Sequence, residues 1–99
     1  MRICMMEGPV DLAPEGATWE GIADRISELA PDLLVTNEMP FGPWLAALPD
    51  YDAALAAESV RIHEAGLAAL AALDVPAIVS SRPVPAAGRL ANEAFALQG

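Results

Sequence analysis

What most constrains the fold of this chain is its opening alternation of short apolar runs with a helical pattern. Arg2-Ile3-Cys4-Met5-Met6 is apolar and closed by Gly8-Pro9, which suits a buried strand ending in a turn. After a loop rich in proline, glycine and acid, Thr18 is placed to cap a helix in which Trp19, Ile22, Ala23, Ile26, Leu29 and Ala30 recur at helical spacing. Glu20 and Asp24 near its start favour the helix dipole. Pro31 stops the helix, and Asp32-Leu33-Leu34-Val35-Thr36 reads as a short strand of the kind buried in a covered sheet. Parallel strands need such a crossover between them, so this β-α-β unit points to an α/β layer.

Two prolines in Asn37-Glu38-Met39-Pro40-Phe41-Gly42-Pro43-Trp44 force extended or turn geometry on the residues before them, giving a loop loaded with aromatics. From about Tyr51 to Leu73 the alanine-rich composition predicts one long helix, with Leu55, Ile62, Leu67, Leu70 and Leu73 as its larger apolar groups. Asp74 breaks it and Pro76–Ser80 makes a third strand. Residues 83–88 then read as a Pro/Gly linker into a fourth strand over Leu90–Leu97. The expected order is β-α-β-α-β-β around a mixed or mostly parallel sheet. No closing helix follows the last strand, so the sheet reads as unfinished and leaves either an apolar patch or a partner surface.

The 99 residues fit one small domain or a piece of a larger one, since a chain this size buries only roughly 60–65% of its unfolded surface. At 55% hydrophobic and 19% charged, it is too apolar for an intrinsically disordered chain. Fourteen acidic residues against five basic ones give a net charge of −9, which repels phosphate backbones and anionic lipid. The basic residues, Arg2, Arg25, Arg61, Arg82 and Arg89, are scattered, so nucleic acid is not an expected partner. The chain has no lysine. No apolar run approaches the roughly 18–20 residues of a membrane span, and the start lacks a signal-peptide core. With a single cysteine and no internal disulfide, the expectation is a cytoplasmic, reducing setting.

Several kinds of chemistry lack their residues. There is no G-x-G-x-x-G or Walker-type loop, and one histidine with one cysteine is too few for the usual zinc site, so neither cofactor nor metal is expected. Ser80, Ser81 and His63 are more plainly a strand end and a solvated helix histidine than a catalytic couple. Cys4 in the first strand reads as a small apolar residue. Glu38 differs: it lies just past the carboxyl end of the second strand, where open α/β sheets place ligands, beside Met39, Phe41 and Trp44. Apolar neighbours desolvate a carboxylate and suit it to general-base work. A solvated loop acid among packing residues fits the composition at least as well, and the residues alone leave the two open.

Asp32-Leu33-Leu34-Val35-Thr36-Asn37-Glu38-Met39-Pro40-Phe41-Gly42 resembles the segment carrying the catalytic glutamate of the nitrilase, or carbon-nitrogen hydrolase, superfamily. Arg89-Leu90-Ala91-Asn92-Glu93-Ala94 is similar to the asparagine-containing stretch that often begins that family's fourth strand, and the element order agrees. Thr36-Asn37 precedes the glutamate where a proline is common. The resemblance implies that residues 1–99 are the N-terminal part of a single hydrolase domain, the opening section of an α-β-β-α sandwich. It implies a glutamate, lysine and cysteine triad that hydrolyses non-peptide carbon-nitrogen bonds in a small amide, carbamoyl or nitrile substrate. Glu38 alone matches a triad position, so the chain is expected to be inactive by itself and the whole enzyme to be a homo-oligomer. Phe41 and Trp44 are expected to shape the substrate pocket or to pack beneath its loop. The alternative expectation is a small acidic interaction module that completes its sheet with a partner.

Overall fold

The computed structural model describes residues 1–43, 52–86 and 89–98. Its elements run β1 (Ile3–Met6), α1 (Ala17–Leu29), β2 (Leu33–Thr36), α2 (Ala53–Ala71), β3 (Ala77–Ala86) and β4 (Arg89–Gln98). They build a mixed α/β fold in which the four strands lie in the order β1-β2-β3-β4. The first three are parallel and β4 returns antiparallel to β3. The β-α-β-α-β-β order expected from the apolar runs is the order observed.

Register explains which side chains meet. Cys4, Leu34 and Ile78 align across the parallel strands, and Leu97 of β4 pairs with Ile78. This row belongs to one hydrophobic core with Met6, Leu12, Trp19, Ile26, Phe41 and Leu70, so both helices cover the same face of the sheet. The adjoining rows present the opposite face. There Ile3, Met5 and Val79 are 56%, 80% and 40% exposed, although apolar side chains of this size favour burial. The sheet is therefore covered on one face among the described residues.

The ends of α1 differ from the sequence expectation. Thr18 lies inside the helix, and the N-cap is Gly16, at φ 91°, with no side-chain cap bond. Glycine takes that left-handed backbone without a Cβ penalty. At the other end Ala30 adopts the left-handed conformation and its N–H closes the last turn onto Ile26 O. Asp52 caps α2, its side chain accepting from the Leu55 N–H at 3.0 Å.

The buried stripe of α2 is Ala56, Ser59, His63, Gly66 and Leu70, spaced by three and four residues. It is built mainly from small side chains, whereas Leu55, expected on the apolar face, is 40% exposed. The stripe lets the loop after β2 press against the helix: a Cβ on Gly66 would overlap the Phe41 ring. His63 is likewise not a solvated histidine, being only 3% exposed.

Residues 83–86 are strand rather than linker. β3 pairs with β2 only as far as Val79, and beyond that it continues with β4 as a two-stranded ribbon, Pro83 facing Asn92 and Pro85 facing Leu90. Proline lacks a ladder donor and is tolerated where one side of a strand is free, which is the situation past Val79. Among the described residues no helix is long and apolar enough to cross a membrane.

Candidate functional site

The carboxyl ends of β1 and β2 are drawn together by their own backbone and by Asn37. Asn37 N–H donates to Met6 O at 2.9 Å, and the Asn37 Oδ1 accepts from the Gly8 N–H at 3.1 Å. Thr36 donates its hydroxyl hydrogen to Asn37 O at 2.9 Å, so the 2.6 Å contact with Ser80 is donated by the Ser80 hydroxyl. This leaves Glu38 at the top of the sheet beside a cavity of about 220 Å³ lined by Glu7, Gly8, Asn37, Glu38 and Met39 among others. The position is the one expected for a ligand site in an open α/β sheet.

The backbone around Glu38 is held at several points. Met39 has φ 40°, in the left-handed region that a non-glycine residue seldom occupies. Its N–H donates to Ser81 Oγ at 2.8 Å, tying the loop to β3. Two residues on, the Phe41 N–H donates to His63 Nε2 at 3.1 Å, tying it to α2. Gly42, at φ 73°, donates its N–H to Leu12 O at 2.8 Å. Strained backbone of this kind persists only where its surroundings fix it, and here β3, α2 and the loop after β1 do so.

Glu38 itself is exposed, in contrast to the apolar envelope suggested by its sequence neighbours. Phe41 is buried in the core, while Met39 lines the same cavity as Glu38. One carboxylate oxygen, Oε1, accepts from Asn92 Nδ2 at 2.7 Å. An acid so held, with Oε2 taking no hydrogen bond among the described residues, is oriented while keeping an oxygen open to exchange a proton. Next to Asn92, Glu93 receives the Arg82 guanidinium at 2.9 and 3.0 Å, and that guanidinium stacks 5.8 Å from the Phe95 ring. Arg82 is thereby engaged on the ribbon.

Of the two expectations for Phe41, shaping a substrate pocket or packing beneath the loop, the structure shows the packing: it is a core residue at 1% exposure. Its ring meets Trp19 edge-on at 5.5 Å and His63 at 5.8 Å. The small stripe of α2 leaves room for the ring, which lies against Gly66. Trp44 lies outside the described residues. Cys4 is a partly buried free thiol in the middle of β1, aligned with Leu34 rather than with Glu38.

His63 is the residue whose part was least visible beforehand. Its Nδ1–H donates to Ser59 O at 2.8 Å, which leaves Nε2 as the acceptor for Phe41. Burial pushes its pKa below the usual histidine value, opposed in smaller measure by the Ser59 and Met39 backbone groups. Ser80 and Ser81 are bound to Thr36 and Met39, so no serine-histidine couple forms. Among the described residues no three His, Cys, Asp or Glu side chains gather as a metal site would need. No family model matches the chain, and neither a curated protein nor a solved structure matches it.

Proposed function

We propose that this chain is the N-terminal part of a nitrilase-like hydrolase acting on non-peptide carbon-nitrogen bonds of amide, carbamoyl or nitrile groups, with Glu38 as its proton-transfer residue. The observation that carries the reading is the Asn92–Glu38 hydrogen bond. The two segments that resemble the family, 32–42 and 89–94, meet there although the bonded residues lie 54 positions apart. In this reading a cysteine attacks the carbon of an amide while Glu38 takes the thiol proton. Glu38 then gives that proton to the departing amine as the carbon-nitrogen bond breaks. Water adds to the resulting thioester, again losing a proton to Glu38, and the thiol is released as the acid product forms. A lysine stabilises the oxygen charge that develops at each addition. With no lysine in the chain and Cys4 on the first strand, both partners are proposed to come from sequence beyond these residues.

The test is to read the frame downstream and assay its whole product on amides, carbamoyl compounds and nitriles. Turnover that falls at least about a hundredfold in E38Q supports the reading, in line with the usual worth of general acid-base catalysis. A frame without a later lysine and cysteine, or an E38Q enzyme with unchanged kcat, overturns it.

The uncovered apolar face bearing Ile3, Met5 and Val79 favours a second reading, an acidic module that completes itself on a partner. That reading expects the 99-residue chain to form a defined soluble complex in size-exclusion chromatography with light scattering. Aggregation of the chain speaks for the first.

A further inference from the structure

We propose that the neutral form of His63 is a positioning residue for Glu38, holding the Phe41 amide and so the loop, and that protonation of Nε2 releases the Phe41 N–H. The geometry requires the release. Nε2 accepts from Phe41 only while it carries no proton, because Nδ1–H is already committed to Ser59 O. A protonated Nε2 would set two donors against each other. Phe41 lies two residues beyond Met39, which follows Glu38 directly at φ 40°, so release of the Phe41 N–H acts on the backbone that aims the carboxylate at Asn92.

Few other charges take part. On its own helix His63 is flanked by Glu58, Arg61 and Glu64, all exposed, the first two paired with each other. The loop presents the uncharged Met39 and Phe41, with Glu38 one residue further on, and Trp19 of α1 lies behind Phe41. β3, against which α2 packs, presents Ser80 and Ser81, while Arg82 is held by Glu93. The groups that act on the ring are the burial itself and the Ser59 and Met39 backbone. What Glu38 does chemically rests on the hydrolase reading; its coupling to His63 does not.

The experiment is nuclear magnetic resonance of the full 99-residue chain across the titration of its single histidine, which gives one unambiguous ring signal. The readouts are hydrogen-exchange protection of the Phe41 amide, corrected for intrinsic rate, and the Asn92 side-chain amide resonance. Loss of the bond is expected to lower Phe41 protection about tenfold or more as the ring protonates, with the Asn92 signal moving at the same midpoint. H63Q keeps an acceptor near the Nε2 position without titrating, so it should retain both signals. H63A should lose Phe41 protection at every pH, and where it does not fold H63Q still decides. Phe41 and Asn92 signals that ignore the His63 midpoint, an equal loss in H63Q, or a ring that stays neutral until the whole chain unfolds would each overturn the proposal. Coupling observed in a protein whose complete product hydrolyses nothing would leave the positioning intact and remove only the enzyme reading.

Discussion

Asn92 on β4 donates its side-chain amide to Glu38 Oε1 at 2.7 Å, so the antiparallel strand at one edge of the sheet orients an acid carried at the end of β2. Both residues are exposed, and an exposed hydrogen bond adds little to stability even when one partner is charged. N92A is expected to change the unfolding free energy by less than about 1 kcal/mol in urea titrations. If the proposed hydrolase reading holds, its effect in the longer protein should fall on turnover, lowering kcat about tenfold with a smaller change in KM, because orientation is what is lost. N92D should be worse than N92A, since it sets one carboxylate against another.

The close approach of Phe41 to Gly66 makes a different prediction, one about folding. G66A places a methyl group where the Phe41 ring sits, and well-packed interiors lose about 1–3 kcal/mol to such overpacking. F41A should cost about 3–5 kcal/mol by leaving a cavity beneath Trp19 and His63. Combining G66A with F41L is expected to recover part of the loss, and the coupling energy of the double-mutant cycle in urea is the measurement. Independent, additive losses would show that the two residues do not press on each other.

These contacts mark where sequence reasoning succeeded and where it stopped. β1, α1 and β2 were legible because short apolar runs bounded by Gly8-Pro9 and Pro31 allow few alternatives, and Glu38 was legible as a candidate from its place at the end of β2. The buried stripe of α2 was not, because Ala56, Ser59 and Gly66 carry no large apolar signal and became core only through the ring of Phe41. Pro83 and Pro85 read as linker because the free side of the β3–β4 ribbon, which tolerates them, is a property of strand order. His63 lacked any local mark: its partner Phe41 is 22 positions away, and only the fold turns a helix histidine into a loop anchor.

Histidine burial also sets the sign of a stability effect. The folded chain holds His63 below its usual pKa, so the unfolded chain binds the proton more readily. Stability from this group is fully present above the unfolded value of about 6.5 and is lost as pH falls from there through the lower folded value. The slope in that window is at most about 1.4 kcal/mol per pH unit for one proton. Urea midpoints from pH 8 to pH 5 should therefore fall for the wild type and fall less for H63Q. Equal slopes in the two proteins would place the acid sensitivity elsewhere.

The uncovered sheet face gives a prediction that depends on what the chain is attached to. Met5 and Val79 align through Val35 and are 80% and 40% exposed, so charge placed on them in the 99-residue chain meets water. M5K and V79E should each cost that chain less than about 1 kcal/mol, the range of strand propensity, while raising its solubility. In a finished sandwich or a bound complex the same positions are buried, and an unpaired charge there costs several times more. The measurement is a pair of melting curves, one for the chain and one for the complete product or complex, each with and without M5K. A large loss of Tm confined to the larger assembly identifies this face as an internal interface. An equal, small change in both means that the face stays in water and that the sheet is covered on one side only.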